Sequence, residues 1–179
     1  MRALTLALLC CACIERPFEE PQARARPQVD RAALRDVLVP APPDAVAIGA
    51  VFGNAAELVA YKLEPAQMVA GQRAVLTLYW RCRAEMEPWH IFVHLDDTTG
   101  AGERIHAEHD PAGGRFPTDA WKPGDSVADS FAFVAPGHPL LLYVGFYSQG
   151  ENRLPLTNPG RGRDDGTSRL LAGVLPVAR

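Results

Sequence analysis

The chain has 179 residues, of which 47% are hydrophobic and 22% are charged, and its formal net charge is -3. This composition is that of an ordinary globular protein rather than a disordered or fibrous one. Lys62 and Lys122 are the only lysines among the 18 basic residues, and the sequence has no basic cluster that could neutralise a phosphate backbone. We therefore expect one modest folded domain and no nucleic-acid partner.

The amino terminus has the arrangement of charge and apolar residues that is typical of an export signal. Arg2 supplies a positive charge, and an apolar run at 3–9 follows it directly. This run is too short to cross a bilayer, which needs about 20 helical residues. Residues 1–12 are therefore predicted to be a signal peptide, and the protein is predicted to work outside the cytoplasm.

Cys13 is the candidate lipidation residue. The segment around it resembles the lipobox of bacterial lipoproteins, because the small residue Ala12 precedes Cys13, although Cys10 lies where that motif has an aliphatic residue. Cys11 is the alternative lipidation residue. Ordinary signal-peptide cleavage and an uncleaved terminus also stay open as alternatives.

The lipobox resemblance also implies how the protein is held at a membrane. It implies a diacylglycerol and an amide-linked acyl chain on Cys13, and more than one such chain is enough for stable attachment. Ile14 follows Cys13 where an aspartate would be the familiar signal for retention at the inner membrane. We therefore expect an outer-membrane lipoprotein that faces the periplasm.

Residues 13–43 are predicted to be a lipidated tether. Prolines interrupt this segment repeatedly, and charges of both signs are mixed through it. Within it, apolar residues recur at helical spacing between Asp30 and Leu38, which predicts a short helix. Whether this helix is transient in a flexible linker or docks on the domain is open at this point.

Residues 44–179 are predicted to form a β-sandwich domain. Here the apolar residues alternate, as Leu76, Leu78 and Trp80 do, which is the period of a strand. Runs of this kind, separated by turn residues, span 47–52, 58–63, 74–82, 89–95, 105–109, 127–134, 140–147 and 169–177. Because no long helical pattern lies between them, they predict an all-β fold, an antiparallel immunoglobulin-like sandwich of about seven to nine strands.

The strand phase also predicts part of the core. Trp80, Trp89 and Cys82 fall on the apolar faces of their predicted strands, so we expect all three side chains to be buried. Cys82 is the one cysteine beyond the signal region, so we expect no disulfide within the domain. A buried thiol of this kind acts as a small apolar side chain rather than as a nucleophile.

Several short patterns occur in an order that resembles a known module. They are Phe52-Gly53-Asn54, VAYKL at 59–63, LTLYW at 76–80, FVHL at 92–95, GGRFPT at 113–118, WKPGD at 121–125 and Leu154-Pro155. Together they resemble an immunoglobulin-like β-sandwich module of uncharacterised bacterial envelope lipoproteins, and a domain that follows the membrane part of some bacterial glycosyltransferase-like proteins. The resemblance covers roughly residues 48–177. It implies the sandwich fold, and it brings no catalytic residues with it.

The chain lacks the usual motifs of catalysis and cofactor binding. It has no Gly-x-Ser-x-Gly, no phosphate-binding glycine loop, no paired Cys-x-x-Cys motifs and no His-Glu-x-x-His. We therefore expect no enzyme activity, no catalytic residues and no cofactor.

The candidate metal ligands in the sequence are His94, His106, His109 and Asp110. Imidazole and carboxylate groups together suit zinc. However, the odd spacing of His106 and His109 would place them on opposite faces of a strand. We therefore predict no metal site, and we expect these histidines to be solvated or hydrogen-bonded to nearby loops.

The segment 96–125 carries the candidate ligand-binding residues, which are Trp121, Phe116, Arg115, Asp119 and Asp110. Aromatic rings beside acidic and guanidinium groups could stack on a sugar ring and hydrogen-bond its hydroxyls. Alternatively, the two rings close the open end of the sandwich and Arg115 pairs with an aspartate. We favour this second interpretation, because large aromatic side chains are highly buried on average.

Two functions are compatible with these expectations. The favoured one is a non-enzymatic envelope lipoprotein, anchored in the membrane by lipid, whose sandwich is an interaction or structural module for envelope proteins. The other is a carbohydrate-binding accessory lipoprotein that acts on envelope glycan or polysaccharide. The two differ in whether Trp121 and Phe116 are exposed beside polar groups or buried.

Overall fold

The computed structural model of the protein describes residues 25–149 and 152–178. The predicted signal peptide at 1–12, the candidate lipidation residue Cys13 and the alternative Cys11 lie outside these residues. In the part of the chain that is described, no helix is both long and apolar enough to cross a membrane.

In these residues, ten strands form two antiparallel sheets of five strands each. The strands are β1 Val46–Phe52, β2 Ala56–Glu64, β3 Arg73–Cys82, β4 His90–Asp97, β5 Ile105–His106, β6 Ser126–Val134, β7 Leu140–Tyr147, β8 Leu156–Asn158, β9 Arg163–Asp164 and β10 Leu170–Leu175. The first sheet has the order β6-β3-β2-β1-β8, and the second has the order β5-β4-β7-β10-β9. The predicted all-β antiparallel sandwich is confirmed. The strand number exceeds the expected seven to nine because β8 and β9, with 3 and 2 residues, are too short to show an alternating pattern.

Strand β3 carries the centre of the core. Its Leu76, Leu78, Trp80 and Cys82 are each at most 1% exposed, as the alternating pattern predicts. The ring centroid of Trp80 lies 4.7 Å from that of Phe146 in β7, so this pair joins the two sheets. Burial raises the pKa of the Cys82 thiol to about 11, which keeps it neutral at physiological pH, as expected of a buried small side chain.

Two predicted turns have the backbone conformation that their residues favour. Gly53 and Asn54, between β1 and β2, have φ angles of 53° and 55°, as a type I′ hairpin turn requires. Gly124 has a φ of 95°, and the backbone N–H of Asp125 donates to the carbonyl of Lys122 at 2.9 Å, as in a type II turn. Both turns were predicted from these residues.

The expectation for Trp89 holds only in part, because the side chain packs against the core without being fully buried. This side chain is only partly buried, and it lies in the loop before β4 rather than in the strand. Its backbone N–H donates to the hydroxyl of Thr118 at 2.7 Å, which is a contact between two segments outside the strands. Because Trp89 precedes the strand, the alternation of β4 does not determine which way its side chain points. The predicted strand at 105–109 is also shorter than expected, since β5 ends at His106 and an isolated bridge joins His109 to Ile91.

The helical segment predicted within the tether docks on the domain. A 3₁₀ helix at Arg31–Leu34 precedes β1, and Leu34 and Val37 are only 3% and 2% exposed in the core. The backbone N–H of Ala128, in the edge strand β6, donates to the carbonyl of Val37 at 2.7 Å. The packed body of the protein therefore includes residues that precede the predicted domain start at 44.

Candidate functional site

The outer face of the second sheet carries a groove of about 470 Å³. Its walls come from the adjacent strands β4 and β7, from β5 and the residues just after it, and from the segment between β7 and β8. The side chains that line it are Phe92, His94, His106, Glu108, Tyr147 and Arg153. This groove is the candidate functional site, because aromatic, basic and acidic groups converge on one concave surface.

The strand register explains why these side chains meet. Alternation along β4 directs Ile91 and Val93 into the core, so Phe92 and His94 project from the outer face. Gly145 of β7 is the register partner of Phe92. A Cβ at Gly145 would overlap the Phe92 ring, so the glycine leaves the space that this ring needs.

Two histidines and one carboxylate form the polar centre of the groove. His94 of β4 pairs with His106 of β5 in the strand register, and their ring centroids are 5.0 Å apart. The Oε1 atom of Glu108 lies 3.0 Å from Nε2 of His94 and 3.1 Å from Nδ1 of His106. One carboxylate oxygen therefore contacts both rings, and we call these three residues the His–Glu cluster.

The environment of the cluster sets its charge. Burial lowers the pKa of His94, whose side chain is only 10% exposed. Burial also acts to raise the pKa of Glu108, but hydrogen bonds from His106, from its own backbone and from His94 outweigh this effect and lower the pKa. At neutral pH the cluster therefore combines a neutral His94 ring with an ionised carboxylate.

Two arginines, each held by neighbouring groups, lie beside the groove. Arg153 donates from Nη1 to both the carbonyl and the hydroxyl of Thr167, at 2.8 Å each. The guanidinium of Arg169 lies 4.3 Å from the ring centroid of Tyr143, and its Nε donates to Asp165 at 2.5 Å. Burial acts to raise the pKa of Asp165, but the hydrogen bonds from Arg169 and Thr167 prevail and lower it to about 2. The positive charges are thus fixed in position.

The structure places the aromatic pair that was singled out in the sequence inside the domain. Trp121 and Phe116 are both 0% exposed, and their ring centroids are 6.2 Å apart. The indole Nε1 of Trp121 donates to the carbonyl of Phe116 at 2.9 Å, so its polar atom is satisfied internally. This is the arrangement of the packing alternative, and neither ring offers a ligand a stacking surface here.

The three polar candidates lie apart from one another. Arg115 donates from Nη2 to Asp36 at 2.5 Å, so it fastens the docked tether segment. Asp119 is buried, and its Oδ1 has no hydrogen-bond partner among the described residues. Asp110 contacts the ring of His90, which lies at the border of the groove. Asp110 is thus close to the groove, whereas Arg115 and Asp119 contribute to the packing of the domain.

The histidines considered as metal ligands separate into two groups. His106 faces the groove, whereas Nε2 of His109 lies 2.7 Å from Oδ2 of Asp129 in the first sheet. His106 and His109 therefore face opposite sides, as their odd spacing predicts. The group that the structure does assemble contains His94, His106 and Glu108.

Sequence reasoning missed the lining residues Phe92, Glu108, Tyr147 and Arg153. A signal for part of the groove is nevertheless present, because the turn-rich stretch at 98–104 separates two predicted strands. Antiparallel pairing across such a stretch brings His94 close to His106, and Glu108, two residues later, continues on the same face.

The two sheets and their groove define the class of the protein as a β-sandwich domain. No protein-family model matches the chain, and no curated protein matches it. Among solved structures, the crystal structure of the C-terminal domain of Wzt is similar, with a TM-score of 0.52 and 12% sequence identity. The similarity covers 77% of this chain and 80% of that chain. At this level of identity, the likeness shows the fold alone.

Proposed function

We propose that the protein is a membrane-anchored extracytoplasmic lipoprotein whose sandwich is a non-catalytic module, and that this module binds a saccharide of the cell envelope in the groove. The observation that carries the proposal is the groove itself, where aromatic, guanidinium, imidazole and carboxylate groups meet on one sheet face. The proposal keeps the non-catalytic role favoured from the sequence and takes its ligand class from the carbohydrate-binding alternative. It places the ligand in a groove that Trp121 and Phe116, both buried, do not line.

The composition of the groove suits a sugar. Tyr147 is half-buried and offers ring surface to the C–H face of a pyranose, while the more deeply buried Phe92 forms the apolar floor. Arg153 supplies N–H donors, and Glu108 supplies carboxylate acceptors, for the hydroxyl groups of the ligand. A sugar presents both kinds of surface at once, which is why such mixed grooves suit it.

The polar side chains are held in place before any ligand binds. Arg153 is fixed by its two hydrogen bonds to Thr167, and its guanidinium lies 5.3 Å from the ring centroid of Phe92. Glu108 is fixed by the two histidine rings. Side chains that are already ordered lose little conformational entropy on binding, which favours recognition.

The carboxylates in and beside the groove are suited to binding a saccharide rather than to hydrolysing it. Glu108 is the one carboxylate among the residues that line the groove. Glycoside hydrolysis usually needs two carboxyl groups, roughly 5–9 Å apart, one of which is protonated at the working pH. The neighbouring Asp165 is poorly suited to be that acid, because its pKa is lowered to about 2.

Lipidation at Cys13 would hold this module close to a membrane surface. The chain between Cys13 and Asp30 can extend to at most roughly 60 Å, at about 3.5 Å per residue. A tether of that length would allow the groove to reach glycans beyond the lipid headgroups. The anchor and the groove thus serve one role in this proposal.

Glycan-array binding by the purified full-length protein tests the ligand class. We expect retention on at least one envelope glycan, and at least a tenfold loss of affinity for Tyr147→Ala and for Arg153→Ala. Arg73→Ala is the matched control, because it removes an exposed arginine from the start of β3 in the other sheet, and it should bind like the parent protein.

Two results would refute the saccharide ligand. One is an array with no retained glycan, and the other is retention that both groove substitutions leave unchanged. If the array is empty while both substitutions abolish capture of an envelope protein, the ligand of the groove is a protein instead.

A further inference from the structure

We propose that His94, His106 and Glu108 bind a divalent transition-metal ion of the zinc class at the centre of the groove. This inference goes beyond saccharide binding and does not depend on it. It concerns the His–Glu cluster as a set of ligands, rather than the histidines that the sequence first suggested.

The geometry of the three side chains fits one ion. Their candidate ligand atoms all lie within 4.8 Å of one another. Oε1 of Glu108 is 3.0 Å from Nε2 of His94 and 3.1 Å from Nδ1 of His106. Tetrahedral zinc with bonds of about 2.0–2.2 Å places its ligand atoms roughly 3.4 Å apart, so these two distances from Glu108 would have to lengthen by only a few tenths of an ångström.

The backbone holds these ligands in register. His94 and His106 are cross-strand partners in β4 and β5, and Glu108 follows His106 by two residues on the same side. The hydrogen bond from the N–H of Ala107 to the carbonyl of Val93, at 2.9 Å, continues the pairing through the segment that carries Glu108. The ligand set is thus fixed by sheet pairing rather than by a mobile loop.

The donor types select the kind of ion. Two imidazoles and one carboxylate suit Zn²⁺, Ni²⁺ or Cu²⁺ better than Ca²⁺ or Mg²⁺, which prefer an all-oxygen set. Three protein ligands leave a fourth position, and all three of these residues line the groove. A water molecule or an oxygen atom of a groove ligand could take this position.

The guanidinium of Arg169 lies close to the cluster, and its positive charge opposes the binding of a metal cation. Removing this charge therefore gives a second test of the metal site. Nη1 of Arg169 lies 3.4 Å from Nδ1 of His94, and Arg169 is held there by Asp165. A metal on Nε2 requires the ring proton on Nδ1, which then faces the guanidinium. Replacing Arg169 by glutamine should therefore tighten metal binding several-fold, because it removes this repulsion.

Isothermal titration calorimetry of the full-length protein with Zn²⁺, with no saccharide present, tests the proposed metal site. We expect one equivalent of Zn²⁺ to bind to the parent protein, and His106→Ala and Glu108→Gln each to weaken that binding at least tenfold. The His106 side chain is 57% exposed, so its replacement leaves the core intact. His138→Gln is the matched control, because it removes a histidine that lies beside Asp97 and is not a member of the cluster, and it should leave Zn²⁺ binding unchanged.

Two results would overturn the inference: no Zn²⁺ binding at all, or Zn²⁺ binding that both cluster substitutions leave unchanged. Either result would mean that the three residues form hydrogen bonds with one another and hold no metal ion. Near-ultraviolet circular dichroism of each variant verifies that the fold is retained. Because the titration uses metal alone, failure of glycan binding does not affect its outcome.

Discussion

His109 and Asp129 join the two sheets through a hydrogen bond of 2.7 Å between Nε2 and Oδ2. Asp129 in β6 is fully buried, and its other oxygen accepts the backbone N–H of Ala112 at 2.8 Å. His109 in turn contacts the carbonyl of Ala107 through Nδ1 at 2.8 Å. A buried carboxylate thus ties the loop after β5 to the opposite sheet.

This pair predicts a pH-dependent contribution to stability. Burial acts to lower the pKa of His109, but the hydrogen bond and the charge of Asp129 outweigh it, so the pKa is raised above 6.5. Because the folded-state pKa is raised, the stabilisation is fully present below about pH 6.5 and is lost as the pH rises through the folded-state value.

Asp129→Asn should lower the pKa of His109, because it removes the charge that most strongly opposes the effect of burial. It should also destabilise the protein by about 3 kcal/mol at low pH, and by less as the pH rises. Nuclear magnetic resonance titration of the imidazole and denaturation at several pH values measure the two effects. An unchanged His109 pKa would show that the pair is not coupled.

Trp121→Ala should destabilise the domain by about 3–5 kcal/mol, because the side chain is 0% exposed and its removal leaves a large cavity. Trp121→Phe should cost less, because it keeps most of the ring volume and loses mainly the hydrogen bond to the carbonyl of Phe116. Chemical denaturation measures both. An unchanged unfolding midpoint for Trp121→Ala would contradict the burial of this ring in the core.

The docked tether segment should contribute to stability through Leu34. Leu34→Ala should cost about 2–4 kcal/mol and should make Arg35 more accessible to trypsin, because the buried contact with the first sheet is lost. Ala33→Ser, at an exposed position of the same helix, is the control and should alter neither property. Equal cleavage rates for the parent and Leu34→Ala would mean that this segment does not dock.

Cys13→Ser should release the protein from membranes or leave it as an unprocessed precursor, since the thioether to the lipid can no longer form. Metabolic labelling with a fatty acid, followed by membrane fractionation, measures this. Cys11→Ser should retain both label and membrane association. If labelling persisted in Cys13→Ser and disappeared in Cys11→Ser, the lipid would be attached to Cys11 rather than to Cys13.

The fold could be predicted wherever local chemistry determines it. Alternation marks β3 because one face of that strand is buried, and Gly53-Asn54 marks a hairpin because both residues tolerate positive φ. Strands β8 and β9 escape prediction because two or three residues cannot display a period. Docking of Leu34 also escapes it, because helical spacing does not say which surface an apolar face meets.

The candidate site was harder to predict because it depends on register. His94 and His106 are 12 residues apart in the chain, and they meet because β4 and β5 pair antiparallel. Arg153 lies beyond β7 and reaches Phe92 only once the second sheet has formed. Trp121 drew attention as a large aromatic residue in a turn-rich segment, and its burial depends on packing that no local pattern reports.

The most direct test of the central claim is to map the binding surface by amide chemical-shift perturbation, using an envelope saccharide that the array retains. The groove account predicts that the largest shifts occur in β4, β5 and β7, around Phe92, Glu108 and Tyr147, and that they disappear in Arg153→Ala but persist in Arg73→Ala. Shifts concentrated on the first sheet, or a saccharide-bound state that Arg153→Ala leaves unaltered, would contradict the assignment of the groove as the ligand site.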